Sequence, residues 1–208
     1  MNVAYEEQEQ LEALRRWWDS YGRPVVLGGA IGLAALLGYQ WYDNRQDARA
    51  AAASALYEEL SQAGDTETQA ALRTRLVSEF PGTPYATLAL LSGAAQVSNA
   101  GDLEQAREDL RQALELAKDR KLRELARLNL ARAELAAGDA GTALSVAQKR
   151  DGKLYAALFW ELIGDAQRAL DNREASRDAY ESALAVEDIP PQLAAIIRLK
   201  MEHPGATP

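Results

Sequence analysis

The sequence predicts an all-α protein: one N-terminal transmembrane helix, then an α-solenoid of stacked helix pairs with a C-terminal capping helix. Three observations carry that prediction. The stretch Pro24 to Tyr42 holds no Asp, Glu, Lys, Arg or His. The rest is rich in Ala, Leu, Glu, Arg and Gln, without an alternating apolar pattern, which suits helices and not strands. Pairs of small residues twelve apart recur across turns.

At 208 residues the chain is long enough for one sizeable core, or for a small domain with an attached segment. It has no cysteine, which excludes disulfide staples, thiolate metal sites and Cys nucleophiles. Lys and Arg number 23 against 31 Asp and Glu, a net charge of −8. Neutralising phosphates needs clustered positive charge, so this balance argues against nucleic acid as a partner.

Residues 1–23 read as a cytoplasmic amphipathic segment. Leu11, Leu14, Trp18 and Tyr21 recur at helical spacing and face away from the acids, as in a helix lying on a membrane surface. A frayed polar tail is the alternative. Residues 24–42 read as the transmembrane helix. Nineteen residues cover roughly 28 Å at about 1.5 Å each, close to a hydrocarbon core of about 30 Å. Trp17, Trp18 and Tyr21 stand before it, Trp41 and Tyr42 close it, and Arg15, Arg16 and Arg23 can snorkel to head groups. A buried core helix would not need aromatic belts at both ends. A cleaved signal peptide would start with a short basic region, whereas Glu6, Glu7, Glu9, Glu12 and Asp19 precede this run. Arginines 15, 16 and 23 before the span against 45 and 49 after it favour an N-terminus inside the cell. Gly28 with Gly32, and Ala30 with Ala34 and Gly38, form two four-residue stripes. Such stripes let a second span approach closely, although glycine is also common in isolated spans.

Residues 43–208 read as the solenoid domain, periplasmic on that orientation. No Pro or Gly interrupts Asp43 to Ala63, so the first helix continues until Gly64-Asp65. Further breaks fall at residues 80–84, 99–102, 138–139, 151–152, 171–172 and 189–191. Thr83 before Pro84 and Asp102 before Leu103 have the chemistry of helix N-caps. The small pairs are Ala94 with Ala106, Ala131 with Ala143, and Gly164 with Ser176. Gly101 and Gly138 sit seven residues after the first member of their pairs, where the third repeat has Asp171. This resembles the tetratricopeptide pattern, in which small residues let the two helices of a repeat touch. The second repeat is degenerate, with Ala147 and Arg150 at positions that elsewhere hold larger apolar residues. An irregular Ala-rich bundle is the competing description. Pro190-Pro191 then opens a closing helix bearing Leu193, Ile196, Ile197 and Met201.

Residues 5–60 closely resemble the start of the YfgM-type ancillary subunits of the bacterial Sec translocon, most specifically in Arg16-Trp17-Trp18 followed by a glycine-rich span. Residues 80–91, 124–144 and 164–184 resemble the periplasmic tetratricopeptide-like domain of that family. The resemblance implies a single-pass protein of the bacterial inner membrane with a cytoplasmic N-terminus and a periplasmic C-terminal domain. It implies association with the SecYEG channel, with a membrane-anchored periplasmic chaperone of the prolyl-isomerase class, and with unfolded client chains leaving the channel. A membrane-anchored homo-oligomer built through the small-residue stripes, or a general interaction scaffold, is the alternative.

The residues hold little material for catalysis. A lone histidine, His203, allows neither a His-paired zinc site nor a His-based triad. Adjacent acids such as Glu58-Glu59 and Glu108-Asp109 point to different helix faces. No cofactor or metal is expected, and no enzyme activity. The basic run Lys118, Arg120, Lys121, Arg123, Arg127 and Arg132 is the one local reversal of sign, suited to acidic peptide or to plain solvation. For a solenoid the expected binding side is the concave face lined by first helices. Repeat offsets place Arg132, Asp165 and Arg168 there, near Tyr155 and Trp160, whose alternative is packed core.

Overall fold

The computed structural model describes residues 3–202, with side chains from Arg15 onward except at positions 20, 23 and 25. The side chains of Leu11, Leu14 and Arg23, and the whole of His203, lie outside the described residues. Every element is helical: α1 (Val3–Gln62), α2 (Thr66–Glu79), α3 (Pro84–Asn99), α4 (Leu103–Leu116), α5 (Arg120–Ala136), α6 (Ala140–Gln148), α7 (Ala156–Ala169), α8 (Arg173–Leu184) and α9 (Pro191–Glu202). The chain divides into two units, Met1–Arg49 and Ala50–Pro208.

In the first unit α1 passes through Pro24 without ending. Val26, Leu27, Ile31, Leu33, Leu36 and Leu37 of this helix are 57–68% exposed. A Cβ added at Gly28, Gly29, Gly32 or Gly38 would meet nothing within 4 Å. Among the described residues no helix is long and apolar enough to cross a membrane. The apolar run read from the sequence includes position 25, whose side chain is not described, and it closes on Tyr39, Gln40, Trp41 and Tyr42.

The second unit is the solenoid, in which each helix from α2 to α9 packs on the next. Its caps follow from the sequence. The side chains of Asp65, Thr83, Asp102, Asp119 and Asp139 each accept a hydrogen bond from a backbone N–H three residues on, opening α2, α3, α4, α5 and α6. The repeat anchors are buried as the tetratricopeptide pattern requires: Ala106, Ala131 and Ala143 are fully enclosed, and Ala94, Gly164 and Ser176 nearly so. At Gly164 the reason for a small residue is direct, because an added Cβ would lie 2.4 Å from the Tyr180 ring. The Ser176 hydroxyl donates to the Gly164 carbonyl at 2.8 Å, so serine at this position adds a bond between α7 and α8.

The three turns between first and second helices share one conformation. Gly101 (φ 89°), Gly138 (φ 86°) and Asp171 (φ 59°) are all left-handed. Residues Asp102, Asp139 and Asn172 then donate backbone N–H bonds of 2.9 Å to the carbonyls of Val97, Glu134 and Gln167. That is the glycine-type helix stop, and Asp171 adopts it because Asp tolerates the left-handed region better than most side chains.

The core runs as connected clusters along the stack. Ala53, Leu56 and Leu60 of α1 meet Leu76 of α2 and Ala89 of α3. Leu90, Leu91 and Ala94 meet Ala106, Leu110 and Ala113 of α4 and Ala126 and Leu130 of α5. Leu128 and Ala131 meet Phe159, Leu162 and Ile163 of α7. Tyr180 and Ala183 of α8 close on Ile197 of α9, so α9 does cover the last repeat.

Candidate binding groove

A groove of about 340 Å³ opens between α3 and α5, above α4. Leu91, Ala94, Ala95 and Ser98 supply the α3 wall, at spacings of three, four and seven residues that keep them on one face. Asn129, Arg132, Ala133 and Ala136 supply the α5 wall at the same spacings, and Ala106 and Leu110 of α4 form the floor. The groove exists because the small residues that let the helices pack leave room above the packing seam.

The structure does not gather the five expected concave residues into one site. Arg132 is exposed on the groove's α5 wall and makes no hydrogen bond or ion pair among the described residues. Asp165 and Arg168 are half-buried and belong to a network at the end of the stack. Asp165 accepts from Arg168 at 3.3 Å, from the Tyr180 hydroxyl at 2.6 Å and from Lys200 at 2.6 Å. Lys200 also pairs with Glu161, tying α9 to α7. Burial, and then its bond to Asp165, raises the Tyr180 phenol above its usual range. Tyr155 and Trp160 pack against the α5–α7 cluster, and the Arg150 guanidinium lies 4.6 Å from the Trp160 ring centroid. Their packed-core alternative therefore describes them, and the exposed mixed-charge trio reduces to Arg132.

Of the basic run, Arg123 and Arg127 are engaged within the fold, while Lys118, Arg120, Lys121 and Arg132 stay exposed. Arg123 donates to the carbonyls of Ala117 and Lys118, closing the α4 end. Arg127 pairs at 3.1 Å with Glu124, whose second oxygen accepts the Asp151 N–H at 3.0 Å. Glu134, also fully buried, is held by Arg107 at 2.6 Å and Arg111 at 2.8 Å. The bond to Glu134 raises the Arg107 guanidinium further above its ordinary value. Arg73 reaches Asp109 at 3.5 Å by lying across Gly93, where an added Cβ would sit 2.3 Å from its guanidinium. Among the described residues no group of three or more His, Cys, Asp or Glu is arranged to hold a metal.

Paired helices with a small-residue seam, a repeated left-handed turn and an open groove between first helices define a tetratricopeptide-type solenoid. The chain belongs to the tetratricopeptide repeat-like domain family, whose model matches residues 15–205. It is similar to curated proteins named ancillary SecYEG translocon subunit. The Escherichia coli protein is 27% identical over 206 residues, 98% of each chain. The Haemophilus influenzae protein is 28% identical over 185 residues, 88% of this chain and 91% of its own length. That of Aggregatibacter actinomycetemcomitans is 25% identical over 185 residues.

Proposed function

We propose that this protein is a non-enzymatic ancillary subunit of the Sec translocon. It is held in the bacterial inner membrane by residues 24–42, with residues 1–23 in the cytoplasm and the domain from residue 43 in the periplasm. There it docks a membrane-anchored chaperone of the prolyl-isomerase class and helps to handle chains leaving the SecYEG channel. The observation that carries this reading is the similarity to ancillary translocon subunits across 98% of this chain, the apolar segment included.

Two physical arguments support the anchor. The uncharged run is long enough to span a bilayer. Its leucines and isoleucine are largely exposed along α1, which water disfavours at about 25 cal/mol per Å² of apolar surface and lipid does not. Gly28, Ala30, Gly32, Ala34 and Gly38 then supply the seam for a neighbouring span, since the glycine positions are open to close approach. The family's protein-interaction fold supports a docking role without catalysis.

The test is photocrosslinking in native membranes from probes placed at Gly32 and Arg132. Adducts with a channel subunit and with a periplasmic chaperone are expected. Homotypic adducts alone would replace this reading with a membrane-anchored oligomer.

A further inference from the structure

We propose that the solenoid docks on an anionic phospholipid bilayer through one edge, formed by the α4–α5 and α6–α7 connections and carrying Lys118, Arg120, Lys121, Lys149 and Lys153. The inference rests on the anchored reading above and deepens it by assigning the side of the domain that meets the membrane.

Helices that pack on each other across short connections run antiparallel. The α1–α2, α3–α4, α5–α6 and α7–α8 connections therefore lie at one edge of the stack, and the α2–α3, α4–α5, α6–α7 and α8–α9 connections at the other. The first edge carries Asp65, Asp102, Asp139 and Asp171 and no lysine. The second carries four of the five lysines of the chain: Lys118 and Lys121 about the start of α5, and Lys149 and Lys153 between α6 and α7. The fifth, Lys200, is buried between Glu161 and Asp165. Every exposed lysine of a chain with net charge −8 thus stands at a single edge.

The fold joins the two groups of cations, which lie some thirty residues apart in sequence. Glu124 of α5 accepts the Asp151 N–H and so holds the α6–α7 connection against the beginning of α5. A Cβ added at Gly152 would lie 3.9 Å from the Arg120 guanidinium. Arg150 fixes the connection from within, donating to the Gly152 carbonyl at 3.0 Å. Lys118 lies across Gly82, where an added Cβ would meet its Cε at 2.6 Å, so the α2–α3 connection adjoins the same cluster.

The chemistry of this cluster favours lipid over protein. Lys118, Arg120, Lys121, Lys149 and Lys153 are exposed and make no hydrogen bond or ion pair among the described residues. Of the two carboxylates between them, Asp119 is engaged as the cap of α5, accepting the Leu122 N–H at 3.0 Å, and Asp151 remains exposed. The cluster ends at the α8–α9 connection, where Glu187 and Asp188 reverse the sign. No large apolar side chain of the two lysine-bearing connections is exposed, whereas protein interfaces centre on apolar and aromatic anchors. Ammonium groups on flexible stems are point charges without a fixed fork, suited to a layer of mobile phosphates. Their attractions to such a surface add within a Debye length.

The chain also enters this unit at the lysine edge. Tyr57 of α1 meets Tyr85, in the first turn of α3, with ring centroids 5.9 Å apart. Because α1 ends at the opposite edge, residues 50–57 reach the solenoid from the side of the lysines, and the segment proposed to span the bilayer is joined to it there.

The full-length protein in vesicles provides the test. Gln148→Cys places a fluorophore beside Lys149, and Ala137→Cys places one at the opposite edge; both positions are exposed. Each labelled protein is reconstituted with a nitroxide head-group lipid as quencher, in phosphatidylcholine alone or with one third phosphatidylglycerol. At 0.1 M salt, where the Debye length is about 10 Å, quenching at position 148 is expected to be about threefold greater with phosphatidylglycerol. The difference should vanish at 1 M salt, where that length is about 3 Å, and position 137 should be quenched weakly throughout. The joint substitutions Lys118→Glu, Lys121→Glu, Lys149→Glu and Lys153→Glu should bring position 148 down to its neutral-lipid value with circular dichroism unchanged, and arginine at the same four positions should preserve the quenching. Equal quenching in the two lipids, quenching at 137 as strong as at 148, or persistence in the glutamate variant would each overturn the proposal. Loss of chaperone crosslinks in the glutamate variant, with quenching at 148 indifferent to lipid charge, would assign the edge to an acidic protein and overturn it too. Flotation with neutral vesicles at 1 M salt reports the anchor alone: its failure would overturn the anchored reading, while salt-sensitive quenching by added phosphatidylglycerol vesicles would still support the edge.

Discussion

Leucine behaves in opposite ways in the two units of this chain. Leu76, Leu90 and Leu128 of the solenoid are at most 2% exposed, whereas Leu33, Leu36 and Leu37 of the N-terminal unit are 57–68% exposed. Glycine divides the same way, since an added Cβ at Gly164 collides with Tyr180 and one at Gly32 meets nothing. The solenoid satisfies its own apolar surface, helix against helix. The first unit leaves its leucines exposed, as the anchoring role proposed above requires.

The largest expected effect lies at the end of the stack. Lys200→Met removes the cation between Glu161 and Asp165 and leaves two half-buried carboxylates facing each other, at a cost of about 2–4 kcal/mol. Thermal melting followed by circular dichroism should show it. A melting temperature equal to that of the parent would mean that α9 docks through its apolar contacts, Ile197 with Leu193 and Met201.

The glycine contrast comes next. Gly164→Ala should destabilise the solenoid by about 1–3 kcal/mol, because the ring it meets is itself buried. Gly32→Leu should leave melting unchanged and instead weaken co-purification of membrane partners. Equal effects of the two substitutions on melting would erase the distinction between the units.

The turns give a smaller and signed effect. Gly138→Ala places a Cβ in a left-handed residue with open space around it, so only backbone strain acts and about 1 kcal/mol is lost. Asp171→Gly relieves the same strain and should gain about 0.5–1 kcal/mol, as chemical denaturation would measure. The smallest effect is on acid stability. The N–H bonds from Thr68 and Thr142 lower Asp65 and Asp139 below the usual carboxylate value of 3.8. A carboxylate lowered on folding stabilises the native state above its unfolded pKa, and that contribution fades as pH falls below 3.8 through the folded value. Asp139→Asn keeps an N-cap acceptor without the charge, so the melting temperature should depend less on pH in that acid range.

What the sequence made legible was what local chemistry controls. The caps at Thr83 and Asp102 and the left-handed turn shared by Gly101, Gly138 and Asp171 are fixed by neighbours a few residues away, and the six small seam positions show themselves by their repeated spacing of twelve. The buried charges were illegible. Glu124 and Glu134 are spaced like solvated helix residues, and nothing local shows that Asp151 or Arg107 and Arg111 will enclose them. Asp165 looked exposed by repeat offset for the same reason, since its partner Lys200 lies 35 residues on. Asn129 could have been found with Arg132, Ala133 and Ala136 by their common helical face, but an uncharged residue gives a charge-based reading no reason to choose it.

The division between the two units is tested most directly by accessibility, and the absence of cysteine makes the experiment clean. Single-cysteine variants Leu36→Cys and Gly138→Cys would be expressed in intact cells whose outer membrane has been made permeable, then exposed to a maleimide that cannot cross the inner membrane. Rapid labelling is expected at position 138 and none at position 36 until the membrane is dissolved. Equal labelling at the two positions in intact membranes would contradict it.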